Sequence, residues 1–82
     1  MSAEEEILRR LSDAVSSFDS TAAAGAARAA VASGISPVKA IEEGAARGLR
    51  EVGDRFERGE LFLPHLFMGA EAMEAAISVI EE

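Results

Sequence analysis

Along most of the chain apolar residues return at three- and four-residue steps, the period of a helix with one buried face. In residues 3–17 the stripe is Ile7, Leu8, Leu11, Ala14, Val15 and Phe18, and Glu4, Glu5 and Glu6 sit in the first turn, where the helix dipole favours anions. Phe18-Asp19-Ser20 interrupts the pattern, and Asp19 or Ser20 can cap the next helix. Residues 20–33 are mostly alanine, with Gly25 and Val31. Strong helix propensity with little bulk predicts a second helix that packs close to its neighbours. Gly34 suits the left-handed position just past a helix end.

Ser36-Pro37 opens a third helix that the pattern carries to about residue 57, with Val38, Ile41, Ala45, Leu49, Val52 and Phe56 as its stripe. Gly44 and Gly48 lie four apart on one face. Each costs about 1 kcal/mol relative to alanine inside a helix. The expected return is close backbone approach, here against the alanine-rich second helix. Gly59 ends the third helix, and Pro64 lies in the first turn of a fourth that runs to Glu82, with Leu66, Ala70, Met73, Ile77 and Ile80 in one row. Sustained alternation, the mark of strands, is absent. The pattern predicts an all-α protein: one domain over residues 1–82, a four-helix up-and-down bundle with antiparallel neighbours.

The junction between the third and fourth helices breaks the usual rule that turns are polar. Phe56, Phe62, Leu63, Leu66 and Phe67 crowd around it, three of the chain's four phenylalanines. Such a tip is either the end of the core or a surface meant to cover something flat and apolar.

Composition narrows the partners. The 82 residues carry 15 acids against 8 bases, a net charge of −7, with a single lysine. Nucleic-acid binding rests on Lys and Arg neutralising phosphates, so this balance makes nucleic-acid and anionic-membrane partners poor readings, and neither is expected. No apolar run approaches the length of a membrane span, and the acidic start is unlike a secretory leader. Zero cysteines rule out disulfides and thiolate chemistry and suit a cytoplasmic location.

Residues for catalysis are few. One histidine, with no cysteine, tyrosine or tryptophan, leaves neither a triad nor a Glu-x-x-His di-iron set. His65, beside Pro64, reads either as a partly exposed polar residue at the apolar tip or as a contact to a ligand or metal there. Asp54, Glu57 and Glu60 read as solvated charges at a helix end, Asp54 being placed to pair with Arg50 or Arg58. Met68 and Met73 read as gap-fillers of core or rim.

One stretch is specific enough to name a family. The order Gly34-x-x-Pro37, Ile41-x-x-Gly44-x-x-x-Gly48-Leu49-x-x-Val52-Gly53-x-x-Phe56-x-x-Gly59-Glu60-x-Phe62-Leu63-Pro64 and Ala70-x-Ala72-Met73 resembles the helical cobalamin-binding cap of cobalamin-dependent methionine synthase and of corrinoid methyltransferase proteins. The resemblance covers nearly the whole chain, most closely from Gly34 to Met73. It implies a bundle seated over the upper face of a corrin ring, shielding a cobalt-bound methyl group from water and light. It implies that Phe56 packs over that methyl group with Leu63 and Leu66 beside it. Phe62, His65 and Met73 complete the set of cofactor-binding residues expected here, with no protein ligand to the metal.

The implied cofactor is cobalamin, as methylcobalamin or a related corrinoid, held mainly by a separate α/β domain. That domain and methyltransferase subunits are the implied partners. The family's Asp-x-His-x-x-Gly motif, whose histidine ligates cobalt from below, does not occur in these residues, and the Leu-Pro-His-Leu setting of His65 does not match it. The lead tryptophan of the related light-sensing regulators is also missing. The expected function is a non-catalytic cap module of a methyl-transfer system, opening for a methyltransferase. The rival expectation is a protein-interaction bundle that forms a homo-oligomer through Phe62, Leu63 and Phe67 at the tip.

Overall fold

Residues 2–82 are described by a computed structural model. Four helices form: α1 (Ala3–Ser16), α2 (Ser20–Ala32), α3 and α4 (Leu63–Ile80). The third is one continuous helix in three segments, Pro37–Ala40, a π-helical turn at Ile41–Ala45, and Ala46–Glu57.

Each of the first three starts is fixed by a side chain that satisfies a free backbone N–H. Ser2 Oγ accepts from the Glu5 amide at 3.1 Å, Asp19 Oδ1 from Ala22 at 3.0 Å, and Ser36 Oγ from Lys39 at 3.1 Å. Asp19, rather than Ser20, is therefore the cap of α2. Replacing Asp19 with alanine should cost about 1 kcal/mol of stability, read as a lower urea midpoint with unchanged slope.

Three helices end in the same hydrogen-bonded motif, with a residue in the left-handed region just past the last turn. Gly34 (φ 75°) and Gly59 (φ 79°) fill that position after α2 and α3. After α1 it is filled by Phe18, at φ 64°. There the Asp19 amide donates to the Ala14 carbonyl at 2.9 Å and the Phe18 amide to Val15 at 3.1 Å.

Successive helices alternate in direction, so α1/α2 and α3/α4 are antiparallel hairpins. The two hairpins are stacked so that helices running the same way share a wall: α1 lies along α3, and α2 makes its broadest contact with α4. The α1/α3 register is fixed at both ends. Lys39 Nζ meets Glu4 Oε1 at 3.2 Å, and Arg55 Nη1 reaches the Ser16 carbonyl at 3.4 Å.

Gly44 and Gly48 sit on this wall. A Cβ at Gly44 would stand 2.7 Å from Leu11 Cδ2, and one at Gly48 would stand 2.8 Å from Val15 Cβ and against the Ser12 carbonyl. The close approach is therefore to α1, not to the alanine-rich helix as the composition of α2 implied. Alanine-rich α2 instead lies against α4, whose buried residues there are also mostly small: Ala72 and Ala76, ending in Val79 and Ile80. Two such faces approach closely because neither carries bulk.

That contact rotates α4 away from its expected orientation. Leu66, Ala70, Met73 and Ile77 are only half-buried on the flank, and of the expected row Ile80 alone is buried. Val38 also departs from expectation. It is exposed, while Ala40 is buried. The π-helical turn, in which the Ala46 amide bonds the Ile41 carbonyl, is wider than an α turn and delays the helix phase. Residues before it are thereby rotated relative to the Gly48–Val52 face.

By length and composition α4 is apolar enough to cross a membrane, with mean hydropathy 1.2 over 18 residues. This differs from the expectation that no run comes near that length. Only 28% of it is buried in the bundle; Leu63, Phe67 and Met68 are exposed at one end, and Glu71 and Glu74 lie on its outer side.

Candidate functional site: the apolar tip

The α1/α2 turn and the α3/α4 turn lie at the same end of the bundle. Leu61 is buried there and anchors the second turn beneath its exposed neighbours. Phe62 is 74% exposed, Phe67 63% and Phe56 37%, and Leu63 and Met68 are exposed with them. Carrying this much apolar surface at one end of an 82-residue domain marks an interaction surface rather than the end of a core.

The register of α3 on α4 orders the tip. Gly69 faces Leu49 and Val52, and a Cβ placed on it would stand 3.3–3.4 Å from their side chains. One turn nearer the tip, this places Phe56 level with Leu66, which is half-buried. Leu63 and Phe67 succeed each other at a four-residue step on the outer face of α4. Met73 lies two turns further down, half-buried against the core. Five of the six residues expected to meet a cofactor (Phe56, Phe62, Leu63, His65 and Leu66) thus gather at the tip, and Met73 stands apart on the flank.

His65 is half-buried, and its ring is engaged on several sides. Its Nδ1 accepts a hydrogen bond from the Phe62 amide at 2.9 Å, while its own amide donates to the Phe62 carbonyl at 2.9 Å. The Phe62 ring stacks at 6.3 Å between centroids, and the Phe18 ring lies at 5.3 Å. Phe18, which the helix pattern assigned to the α1 stripe, therefore joins the other three phenylalanines at the tip. Its place two residues after the last turn of α1, in a motif that usually takes glycine, was the signal available for it.

The charges near the tip are surface pairs. Arg58 Nε meets Glu60 Oε2 at 2.7 Å, with Arg55 Nε 3.8 Å from the other oxygen. The hydrogen bond from Arg58 holds the Glu60 carboxyl below its usual range. Asp54, expected to pair with Arg50 or Arg58, makes no ion pair among the described residues, because Arg58 turns to Glu60 instead. Grooves on the α1 side are lined by charged groups, including Arg9, Asp13, Arg47, Arg50 and Asp54. The tip, in contrast, presents phenyl, isobutyl and thioether groups outward. These can cover an apolar surface and exclude water from it, and the phenyl and isobutyl groups offer neither an acid nor a nucleophile.

The family model described as the B12 binding domain matches residues 7–81. Trimethylamine corrinoid protein 1 of Methanosarcina mazei is 48% identical over 81 residues, covering 99% of this chain and 38% of that protein. Dimethylamine corrinoid protein 1 of the same organism is 43% identical, covering 99% and 37%. The solved monomethylamine corrinoid protein of Methanosarcina barkeri superposes with a TM-score of 0.88 at 34% identity, covering 94% of this chain and 36% of that one. The chain thus spans less than two fifths of the length of these relatives. It belongs to the B12 binding domain family, as the helical cap domain found in methylamine corrinoid proteins.

Proposed function

We propose that the tip is the cover for the upper face of a corrinoid in a methyl-transfer system, closing over a methyl-bearing cobalt centre and moving aside for a methyltransferase. The observation that carries this reading is the exposed cluster of Phe56, Phe62, Leu63 and Phe67 at one end of a domain of this family. The residues fit the group. A corrin is broad and largely apolar, and Phe56, Phe62, Leu63, Leu66 and Phe67 supply bulk without lone pairs that could attack or ligate. The corrinoid would supply the methyl-carrying metal, and the chain supplies a dry, shaped enclosure. Phe56, the least exposed of the three large rings and braced by the adjacent turn of α4, is the residue that would stand over the reactive centre. Leu63 and Leu66 would flank it, and Phe62 and Phe67 would extend the cover outward.

In this reading residues 1–82 form a single cap domain, and the corrinoid is gripped by a separate α/β domain. The test uses a complete corrinoid protein carrying this cap. Phe56→Ala should speed photolysis of the bound methylcobalamin several-fold while leaving the helical circular dichroism unchanged. Unchanged photolysis would remove the tip from this role. Light scattering of the isolated chain addresses the rival role of the same surface: a mass that doubles with concentration, and reverts on Phe67→Asp, would assign the tip to pairing between copies.

A further inference from the structure

We propose that His65 and Phe18 are positioning residues that hold the leading edge of the cover, Phe62 and Leu63, in place. This rests on the cover reading above. The observation beneath it is a three-ring assembly joining the two turns at the tip. The Phe62 amide is the first free donor at the start of α4, and His65 Nδ1 accepts from it at 2.9 Å. His65 occupies the third helical position, where a glutamate or glutamine side chain would reach back to the same amide in a capping box. An imidazole does this work through a flat ring, and two phenyl rings lie against it. Phe62 stacks on it at 6.3 Å, and Phe18 packs on it at 5.3 Å.

The backbone of Phe18 strengthens the case. It stands at φ 64° in a helix-ending motif whose two other examples in the chain use Gly34 and Gly59. A non-glycine residue in that region is strained, and such strain persists where the surroundings require it. Here the requirement is the ring, which a glycine would not provide. An accepting Nδ1 also fixes the tautomer with the proton on Nε2, so the imidazole is committed to backbone support at one nitrogen. Its aromatic neighbours come from two different hairpins. The assembly therefore ties the α1/α2 turn to the start of α4 and sets the angle at which Phe62 and Leu63 leave the bundle.

Two measurements test this. In the isotope-labelled 82-residue chain, nitrogen NMR should show the proton on Nε2 of His65, and the Phe62 amide should be protected from exchange. His65→Ala should speed that exchange about fivefold, and His65→Gln, whose amide oxygen can accept from the third helical position, should restore it. A proton on Nδ1, or exchange unaltered in a folded His65→Ala chain, would overturn the clamp.

In the complete corrinoid protein, His65→Ala and Phe18→Gly should both speed methylcobalamin photolysis, and His65→Gln should return it to the parent rate. A purely structural role for the ring would show instead as lower stability with parental photolysis in the folded fraction. If Phe56→Ala speeds photolysis and both the His65→Ala and Phe18→Gly proteins match the parent, the cover stands and the positioning role falls. If Phe56→Ala changes nothing, the cover reading falls and takes the functional half of this proposal with it, while the amide data alone decide the clamp.

Discussion

Gly48→Val is expected to destabilise the domain by about 3 kcal/mol or more, enough to unfold much of a marginal domain of this size. A side chain at this position meets atoms that cannot yield. One neighbour is the Ser12 carbonyl, part of the α1 backbone, and the other is Val15 Cβ, 2.8 Å from where the new Cβ would stand. Val15 is fully buried, so it has no alternative place to turn. Relief requires α1 to move off α3 as a unit, which would open the seam over Leu11 and Val15 to water. Gly53→Ala is the matching control. Nothing lies within 4 Å of its Cβ position, so this change should gain up to about 1 kcal/mol from helix propensity. Urea midpoints for both proteins, tracked by helical circular dichroism, check the pair. Equal losses at the two positions would show that the α1/α3 approach is not what Gly48 serves.

Leu11→Ala should cost about 2–5 kcal/mol, the range for deleting a fully buried leucine. Leu11 is the largest side chain in the bundle with no exposure at all. Its effect should depend on a second site. A Cβ at Gly44 would lie 2.7 Å from Leu11 Cδ2, so Gly44→Ala alone overpacks the wall and should cost about 1–3 kcal/mol. In the Leu11→Ala background that methyl enters the space the leucine has left and adds helix propensity. The double variant should therefore be more stable than Leu11→Ala alone, a non-additivity expected only of groups in contact. Simple addition of the two losses, measured in a double-mutant cycle, would contradict the packing described for this wall.

The helices were legible in the sequence because local signals and apolar period agreed. Asp19 and Ser36 are caps that act within three residues, and Gly34 and Gly59 answer a backbone requirement in their own turn. What sequence period does not carry is which helix faces which. The spacing of Gly44 and Gly48 announced a close approach but named the wrong partner, since an alanine-rich helix is an obvious neighbour for small residues. The structure gives that neighbour its match in Ala72 and Ala76 of α4 instead. Val38 was misplaced for a related reason. A period read at a constant pitch cannot foresee the π-helical turn at Ile41–Ala45, and everything before the turn is rotated by it.

The tip was legible as a cluster, because three of its phenylalanines lie close together in sequence around one turn. Phe18 was not, because its place depends on a left-handed backbone and on a contact far along the chain, from the first hairpin to His65 in the second. Met73 keeps to the heptad row of α4 in sequence, but the rotation of that helix leaves it on the flank below the tip.

The alternation of the helices has a mechanical consequence. Residues 2 and 82 both lie at the end of the bundle away from Phe56 and Phe67, and α4, 18 residues long, spans about 27 Å between the two ends. The apolar surface thus stands at the far end of a stiff arm. A pivot of about 20° about the opposite end would carry the tip roughly 9 Å, from the length of the helix alone, without any helix changing its neighbours.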